Sequence, residues 1–365
     1  MITDLRLQHF RSFKDASFEL SPGVNIIVGP NAVGKTNLLE ALLVLARGAS
    51  YRANDGELVR FSQPWARLDG HNQASSQRTI KIVTQPNPTK TYEIDGKTYK
   101  RLSLAHSLPV VLFEPNHLQL LTGGPERRRD YLDDLLEQTT ADYGTIRRQY
   151  KRVLAQRNKL LKQAAGFPAA RPTTQLFPWD VRLSQLAGQI VRARGQLTTK
   201  INADITSLYG ELSQTKIKVV ANYLSTWPPE AYESRLLKKL ETSLADDRSR
   251  GFTGSGPHRE DLALLFDGHP AQQTASRGEA RTAILALKII ELKIIEATRD
   301  GQPPLLLLDD VFSELDGRRR HALTDYLKQH QTFITTTDAD LVLRHFAEGC
   351  QIIPLATTTR QAATY

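Results

Sequence analysis

The chain has 365 residues, 40% hydrophobic and 24% charged, and its 48 Lys and Arg outnumber 39 Asp and Glu for a formal charge of +9. That length suffices for two or three domains, each with a core of its own. No apolar run approaches the roughly 18 residues of a membrane span, which excludes a membrane-spanning helix. One cysteine, Cys350, cannot close an internal disulfide and fits a reducing cytoplasm.

Residues 1–7 alternate and carry charge early, the pattern of a strand and not of a signal peptide. They lead through Leu5 and Leu7 to Phe10-Arg11-Ser12-Phe13. A second apolar strand, 24–28, feeds into Gly29-Pro30-Asn31-Ala32-Val33-Gly34-Lys35-Thr36, and residues 36–46 follow with leucines and alanines at helical spacing. From about residue 68 to 111 the chain is β-rich: 79–83 and 90–94 alternate, and Asp95-Gly96 is a hairpin turn signal, so an antiparallel patch is predicted.

The pattern turns helical from residue 127. On a 100° wheel, Arg148, Lys151, Arg152, Lys159 and Lys162 fall within about 100° of arc, opposite Tyr150, Val153, Leu154, Leu160 and Leu161, with Arg157 alone on the apolar side. Ala165-Gly166-Phe167-Pro168 and Arg171-Pro172 end that helix. A second is predicted to begin near Trp179-Asp180, with Leu183, Leu186, Ile190, Leu197 and Ile201 near a 3.5 repeat, although Gly188 and Gly195 weaken it. An antiparallel helical pair, basic along one side, is expected. Residues 147–200 hold twelve bases against one acid, Asp180, so this segment carries +11 and the remainder −2. Such a field favours a polyanion, and the plain alternative is a solvated helix face. Beyond it come a strand at 262–266 turned by Asp267-Gly268, a periodic helix from Ser276, a strand at 305–308, a helix near 318–328, a strand at 332–335 and a polar tail at 357–365 expected to fray.

G-x-x-x-x-G-K-T between a strand and a helix is a specific pattern. The glycines let backbone N–H groups curl round phosphates, Lys35 can reach the β and γ phosphates, and the Thr36 hydroxyl can hold Mg²⁺. Its expected partner lies 274 residues beyond Lys35, where the 305–308 strand ends in Asp309-Asp310. Asp309 would bind the metal, directly or through water, and Asp310 would orient or deprotonate the attacking water, the two roles being open to exchange. Ser276-Arg277-Gly278-Glu279 has two readings on its residues alone: an N-cap box of Ser276 with Glu279, or an anion-binding helix end. The histidines show no metal-ligand spacing, and His258 reads as structural.

The order of these motifs, closed by Ser313-Glu314-Leu315-Asp316, resembles the ABC-type ATPase head. There the serine-glycine signature of one subunit closes on the γ-phosphate held by the other. Glu279 stands where that family has glutamine and Ala275 where it has leucine, and both changes keep the serine. Ile334-Thr335-Thr336-Thr337-Asp338 offers threonines where a switch histidine is usual, so γ-phosphate sensing by a hydroxyl or a water is expected.

A narrower resemblance rests on Phe10-Arg11-Ser12-Phe13, Gly124-Pro125-Glu126-Arg127-Arg128, Lys151-Arg152-Val153-Leu154-Ala155-Gln156-Arg157-Asn158, Pro178-Trp179-Asp180, Gly256-Pro257-His258-Arg259-Glu260-Asp261-Leu262 and Asp309-Asp310-Val311-Phe312-Ser313-Glu314-Leu315-Asp316. In order and over nearly the whole chain, these look like the RecF family of bacterial recombination mediators. The resemblance implies an α/β fold: an ABC-type P-loop ATPase head of mixed sheet with flanking helices plus an antiparallel β patch, and an inserted α-helical lobe. The head would be built from 1–125 and 251–365 and the lobe from 126–250. It implies an ATP- and Mg²⁺-dependent homodimer with weak, DNA-stimulated hydrolysis, acting in the cytoplasm on double-stranded DNA and junctions with single strands. RecR and RecO would be its partners, RecA an indirect one, and no membrane would be involved.

On this reading Lys35 and Asp310 are catalytic. Gly29 to Thr36, Arg11, Ser276 and Gly278 bind nucleotide, and Thr36 and Asp309 bind metal. Arg148, Lys151, Arg152, Lys159 and Lys162 bind DNA. The long separation of the two nucleotide motifs argues against a membrane-transport ATPase subunit. An ATP-switched protein-interaction scaffold, or another ABC ATPase subunit with no direct DNA role, stands as the alternative.

Overall fold

The computed structural model describes residues 1–73, 75–164, 175–299, 301–346 and 350–356. Strands that alternate apolar and polar residues collect in one antiparallel sheet. These are β1 (Ile2–Phe10), β2 (Phe13–Glu19), β4 (Trp65–Asn72), β5 (Gln77–Val83), β6 (Thr89–Ile94) and β7 (Lys97–Tyr99), in the order β2-β1-β4-β5-β6-β7. Arg11 and Ser12 turn β1 back into β2, Arg11 in the left-handed region at φ 51°, and Asp95-Gly96 does the same between β6 and β7 at φ 50° and 76°. Runs apolar on both faces form a second sheet, as covered parallel strands require. It comprises β3 (Val24–Val28), β8 (Val110–Phe113), β12 (Leu305–Asp309), β13 (Thr332–Thr336) and β14 (Cys350–Pro354) in the order β14-β3-β13-β12-β8, every pair parallel. Val110 and Val111, counted from the sequence with the antiparallel patch, belong instead to this sheet beside β12.

The helix Lys35–Arg47 lies in the core that both sheets share, which is why it is apolar round most of its circumference. Leu38, Leu42 and Leu45 join Leu5, Leu7 and Ile80 of the antiparallel sheet and Ile27, Leu307 and Phe333 of the parallel one. The Gly48 N–H closes the helix on the Val44 carbonyl at 2.7 Å.

Two compact units emerge: residues 1–117 with 295–365, and residues 118–294. Residues 251–294, expected to belong to the head, cluster with the helical unit. The physical reason is strand pairing: β10 (Asp261–Phe266) pairs antiparallel with β9 (Val219–Leu224) and with β11 (His269–Pro270).

Within the helical unit the helices Tyr143–Ala164 and Phe177–Ser213 pack together. Arg157 reaches Asp180, while Tyr143, earlier in the first helix, and Arg194, later in the second, share Asp133, so the two run antiparallel. The turn between them, with Ala165-Gly166-Phe167-Pro168 and Arg171-Pro172, lies outside the described residues, as does 357–365. The second helix is continuous through Gly188 and Gly195. A Cβ at Gly188 would sit 2.3 Å from the Glu233 Cγ, so the glycine admits the neighbouring helix Tyr232–Thr242.

Candidate functional site

The parallel strands of the first unit all end on one edge, the usual location of ligands in such sheets. There β3 runs into the 29–34 loop, β12 into Asp309-Asp310 and β13 into Thr335–Asp338. Gly34 sits at φ 113° and an added Cβ would lie 2.8 Å from the Ser12 Oγ, while at Gly29 it would meet the Leu355 carbonyl at 2.6 Å. Both positions therefore require glycine, on conformational and on spatial grounds. Lys35 is buried, and its Nζ donates to the carbonyls of Gly29 at 2.7 Å and Pro30 at 3.0 Å.

The Thr36 Oγ1 donates to the Asp309 Oδ1 at 2.9 Å, joining the two distant motifs. The same Asp309 oxygen accepts from the Thr335 Oγ1 at 2.8 Å, and that hydroxyl also accepts the Asp310 N–H at 2.9 Å. Asp310 is exposed, in the left-handed region at φ 52°. A hydroxyl and a carboxylate oxygen side by side are hard donors. They suit Mg²⁺, which takes one or two protein ligands and fills its octahedron with phosphate oxygens and water. No cluster of three His, Cys, Asp or Glu side chains that could hold a metal occurs among the described residues. Of the threonines expected to replace a switch histidine, Thr335 and Thr336 are buried and bonded internally, to Asp309 and to Asp338, whereas Thr337 is exposed.

Arg11 donates from Nε and Nη2 to Glu40 at 2.8 and 2.9 Å and from Nη1 to the Glu57 carbonyl. The Glu40 side chain is fully buried and also accepts from Arg52 at 2.9 Å and from Ser50 at 2.6 Å. Burial works to raise its pKa, but these donors outweigh it and hold the carboxyl at about 2. Arg52 further donates to Asn37, and Asn37 to Ser12, so the cluster braces the first turn of the loop helix. The readable signal for it is a lone carboxylate inside an apolar run, Leu38-Leu39-Glu40-Ala41-Leu42; its partners carry no sequence mark. Arg11, expected to bind nucleotide, is thus held by Glu40.

In the second unit, Ser276 and Glu279 form the capping box: the Ser276 N–H donates to the Glu279 carboxylate at 2.7 Å, and the Glu279 N–H to the Ser276 Oγ at 3.3 Å. Ser276 and Arg277 are exposed at the start of the helix Arg277–Thr298. In the first unit, Asp316 caps the helix Gly317–Leu327 through the Arg319 N–H at 2.9 Å.

Arg148, Lys151, Arg152, Lys159 and Lys162 are all exposed on the 143–164 helix, opposite buried Tyr150, Val153 and Leu161. Other bases counted into the +11 are neutralised by acids from outside the segment. Arg147 pairs with Asp130, Asp133, Asp134 and Glu137, Arg194 with Asp133, and Arg192 with Glu233. Arg157 is fully buried between Asp180 at 2.5 Å and Asp247 at 2.8 Å. His258 bonds Tyr150 at 2.6 Å and the Thr253 carbonyl at 3.1 Å, and burial first, then nearby arginines, push its pKa down to about 4. It is a structural side chain of the helical unit. No helix among the described residues is long and apolar enough to cross a membrane.

A parallel sheet with a glycine loop and an aspartate strand at one edge, an antiparallel sheet behind the loop helix and a helical insertion define a P-loop ATPase head of the ABC/SMC kind. The family model for the RecF/RecN/SMC N terminal domain matches residues 1–356. The chain is 35% identical over 345 residues to the DNA replication and repair protein RecF of Heliobacterium modesticaldum, covering 92% of each. It is 36% identical over 364 residues to that of Herpetosiphon aurantiacus, covering 93% of this chain and 94% of the other. The chain belongs to the RecF family. A solved structure of the recombination mediator protein RecF-ATPrS in the RecFOR pathway superposes with a TM-score of 0.86 at 30% identity, covering 98% of both chains. An Smc head bound to the C-winged helix domain of ScpA shares the fold alone, with a TM-score of 0.52 at 14% identity over 97% of this chain and 94% of that one.

Proposed function

We propose that this chain is an ATP-dependent DNA-binding protein of recombinational repair and replication restart. Two copies would close head to head on double-stranded DNA near single-strand gaps, and slow hydrolysis would release them. The observation that carries the reading is the meeting of Thr36 and Asp309 at 2.9 Å beside a lysine that donates to two main-chain carbonyls. Lys35 would exchange those carbonyls for phosphate oxygens, and the 29–34 amides would receive the rest of the anion. Thr36 and Asp309 would hold Mg²⁺, and Asp310 would orient the attacking water. Bound ATP supplies the γ-phosphoryl group, whose charge gives a second subunit something to grip.

Ser276 and the amides of Arg277 and Gly278 are the donors offered to a partner's nucleotide, at the positive end of a long helix. The exposed bases of the 143–164 helix would track a phosphate backbone without reading bases. Kinship with RecF proteins supports RecR and RecO as partners and RecA loading as the outcome, in the cytoplasm.

Duplex binding measured by anisotropy at two salt concentrations, with and without Mg-ATP, tests this. Affinity should rise with ATP and fall steeply with salt, and Lys151→Glu with Arg152→Glu should abolish it. Equal affinity with and without ATP, together with a monomer under both conditions, would count against the proposal. Phosphate release from Asp310→Asn should fall by at least about a hundredfold while nucleotide binding persists.

A further inference from the structure

The helical unit carries an exposed ring among arginines at the end of its basic helix. Phe252 is 38% exposed, although its neighbour Thr253 is buried. The Arg259 guanidinium lies over the ring at 4.9 Å from the centroid and that of Arg250 at 5.9 Å.

The loop bearing Phe252 is tied to the basic helix. Thr253 donates its N–H and its hydroxyl to the Asn158 Oδ1 at 2.9 and 2.7 Å, and its hydroxyl accepts from Arg157 at 2.9 Å. A Cβ on Gly251, at φ 72°, would stand 3.3 Å from the Lys162 Cγ, so the backbone before the ring lies against the lysine stem. A groove of about 550 Å³ lined by Ala155, Asn158, Lys159, Lys162 and Gln163 runs along the same stretch of the helix.

We infer that Phe252, with Arg250 and Arg259, is a stacking site for one unpaired base of a DNA strand whose duplex lies on the 143–164 helix. The inference rests on the DNA-binding reading above and names the residues that would take up the unpaired base at a junction. An aromatic face and a guanidinium plane both stack on bases, and they do so whatever the sequence. Bases inside a duplex are already stacked on each other, so the site is open only to a base that has lost its partner. Arg250 is held by one main-chain bond, from Nε to the Asp246 carbonyl at 3.2 Å, while the Asp246 and Asp247 carboxylates stand at 4.0 and 3.8 Å, longer than hydrogen bonds, so little holds the guanidinium over the ring. Turned to a phosphate, the same guanidinium would hold the strand that carries the base.

The test uses the full chain with Mg-ATP, a blunt duplex, and the same duplex with a single-stranded extension whose first unpaired base is 2-aminopurine. The wild type should bind the extended DNA about tenfold more tightly and quench the probe, and Phe252→Tyr should keep both properties. Phe252→Ala and Phe252→Leu should lower affinity for extended DNA to the blunt-duplex value and leave the probe bright. The leucine keeps apolar bulk without a π face, so loss in both variants is not a packing effect, and their melting temperatures report folding. Equal weakening on both DNAs, no weakening on either, or quenching that survives in Phe252→Ala would each overturn the inference. A wild type that binds neither DNA would instead remove the underlying DNA-binding reading, and the stacking site with it.

Discussion

Lys35 in the head and Arg157 in the helical unit are both buried cations, and they are partnered in opposite ways. Arg157 meets two carboxylates and a hydroxyl, so its charge is compensated and its removal would leave buried carboxylates without their arginine. Lys35 meets two main-chain carbonyls, neutral dipoles that leave its positive charge available to an anion. Burial is common to both. The charge of the partner separates a cation whose charge is spent inside the fold from one whose charge is still uncompensated. Glu40 falls on the Arg157 side of that division: buried beside the loop, it is saturated by Arg11, Arg52 and Ser50.

Substitutions that treat the two sites alike should have unlike effects. The largest is expected at Lys35→Met, which should abolish nucleotide binding and lower hydrolysis at least about a hundredfold, read by phosphate release, while shifting the urea midpoint little. Arg157→Met should cost about 3–5 kcal/mol of stability by leaving Asp180 without its cation and Asp247 with only Arg250, at 3.8 Å. If Lys35→Met destabilises as much as Arg157→Met, the division fails.

His258 sharpens the contrast through pH. Its pKa is held at about 4, below the 6.5 of an ordinary histidine, so the unfolded chain binds the proton first as pH falls. Stability is therefore full above pH 6.5 and declines between 6.5 and 4, by on the order of 3 kcal/mol. Denaturant melts across that range should show the decline, and His258→Gln should remove this component. The smallest effect is expected at Gly195→Ala. Nothing lies within 4 Å of the added methyl in the middle of the 177–213 helix, so a gain of about 0.5–1 kcal/mol should appear as a raised melting temperature.

The nucleotide motifs were legible because their chemistry is written in local spacing: glycines before Lys35-Thr36, and an apolar strand before Asp309-Asp310. The exposed stripe Arg148, Lys151, Arg152, Lys159 and Lys162 was legible from helical periodicity, and the same wheel marked Arg157 as misplaced. The charge count over 147–200 overstated the free field. The acids that neutralise Arg147, Arg192 and Arg194 stand at Asp130, Asp133, Asp134, Glu137 and Glu233, outside the window. The grouping of 251–294 with the helical unit was hidden for a similar reason: it depends on β9 pairing with β10, a contact between segments about forty residues apart whose register no local pattern specifies. Glu40 went unmarked within the 36–46 helical run, and its arginines could be found only once the turn at Arg11 was built.

The central claim is that ATP makes the exposed signature of one copy serve the phosphate loop of another. Light scattering on Asp310→Asn, with and without Mg-ATP and with Ser276→Arg added, tests it most directly. The expected result is a monomer of 40.9 kDa without nucleotide, about twice that mass with it, and the monomer mass again in the double variant that still binds ATP. A dimer that persists in the presence of Ser276→Arg, or a monomer under every condition, would contradict the account.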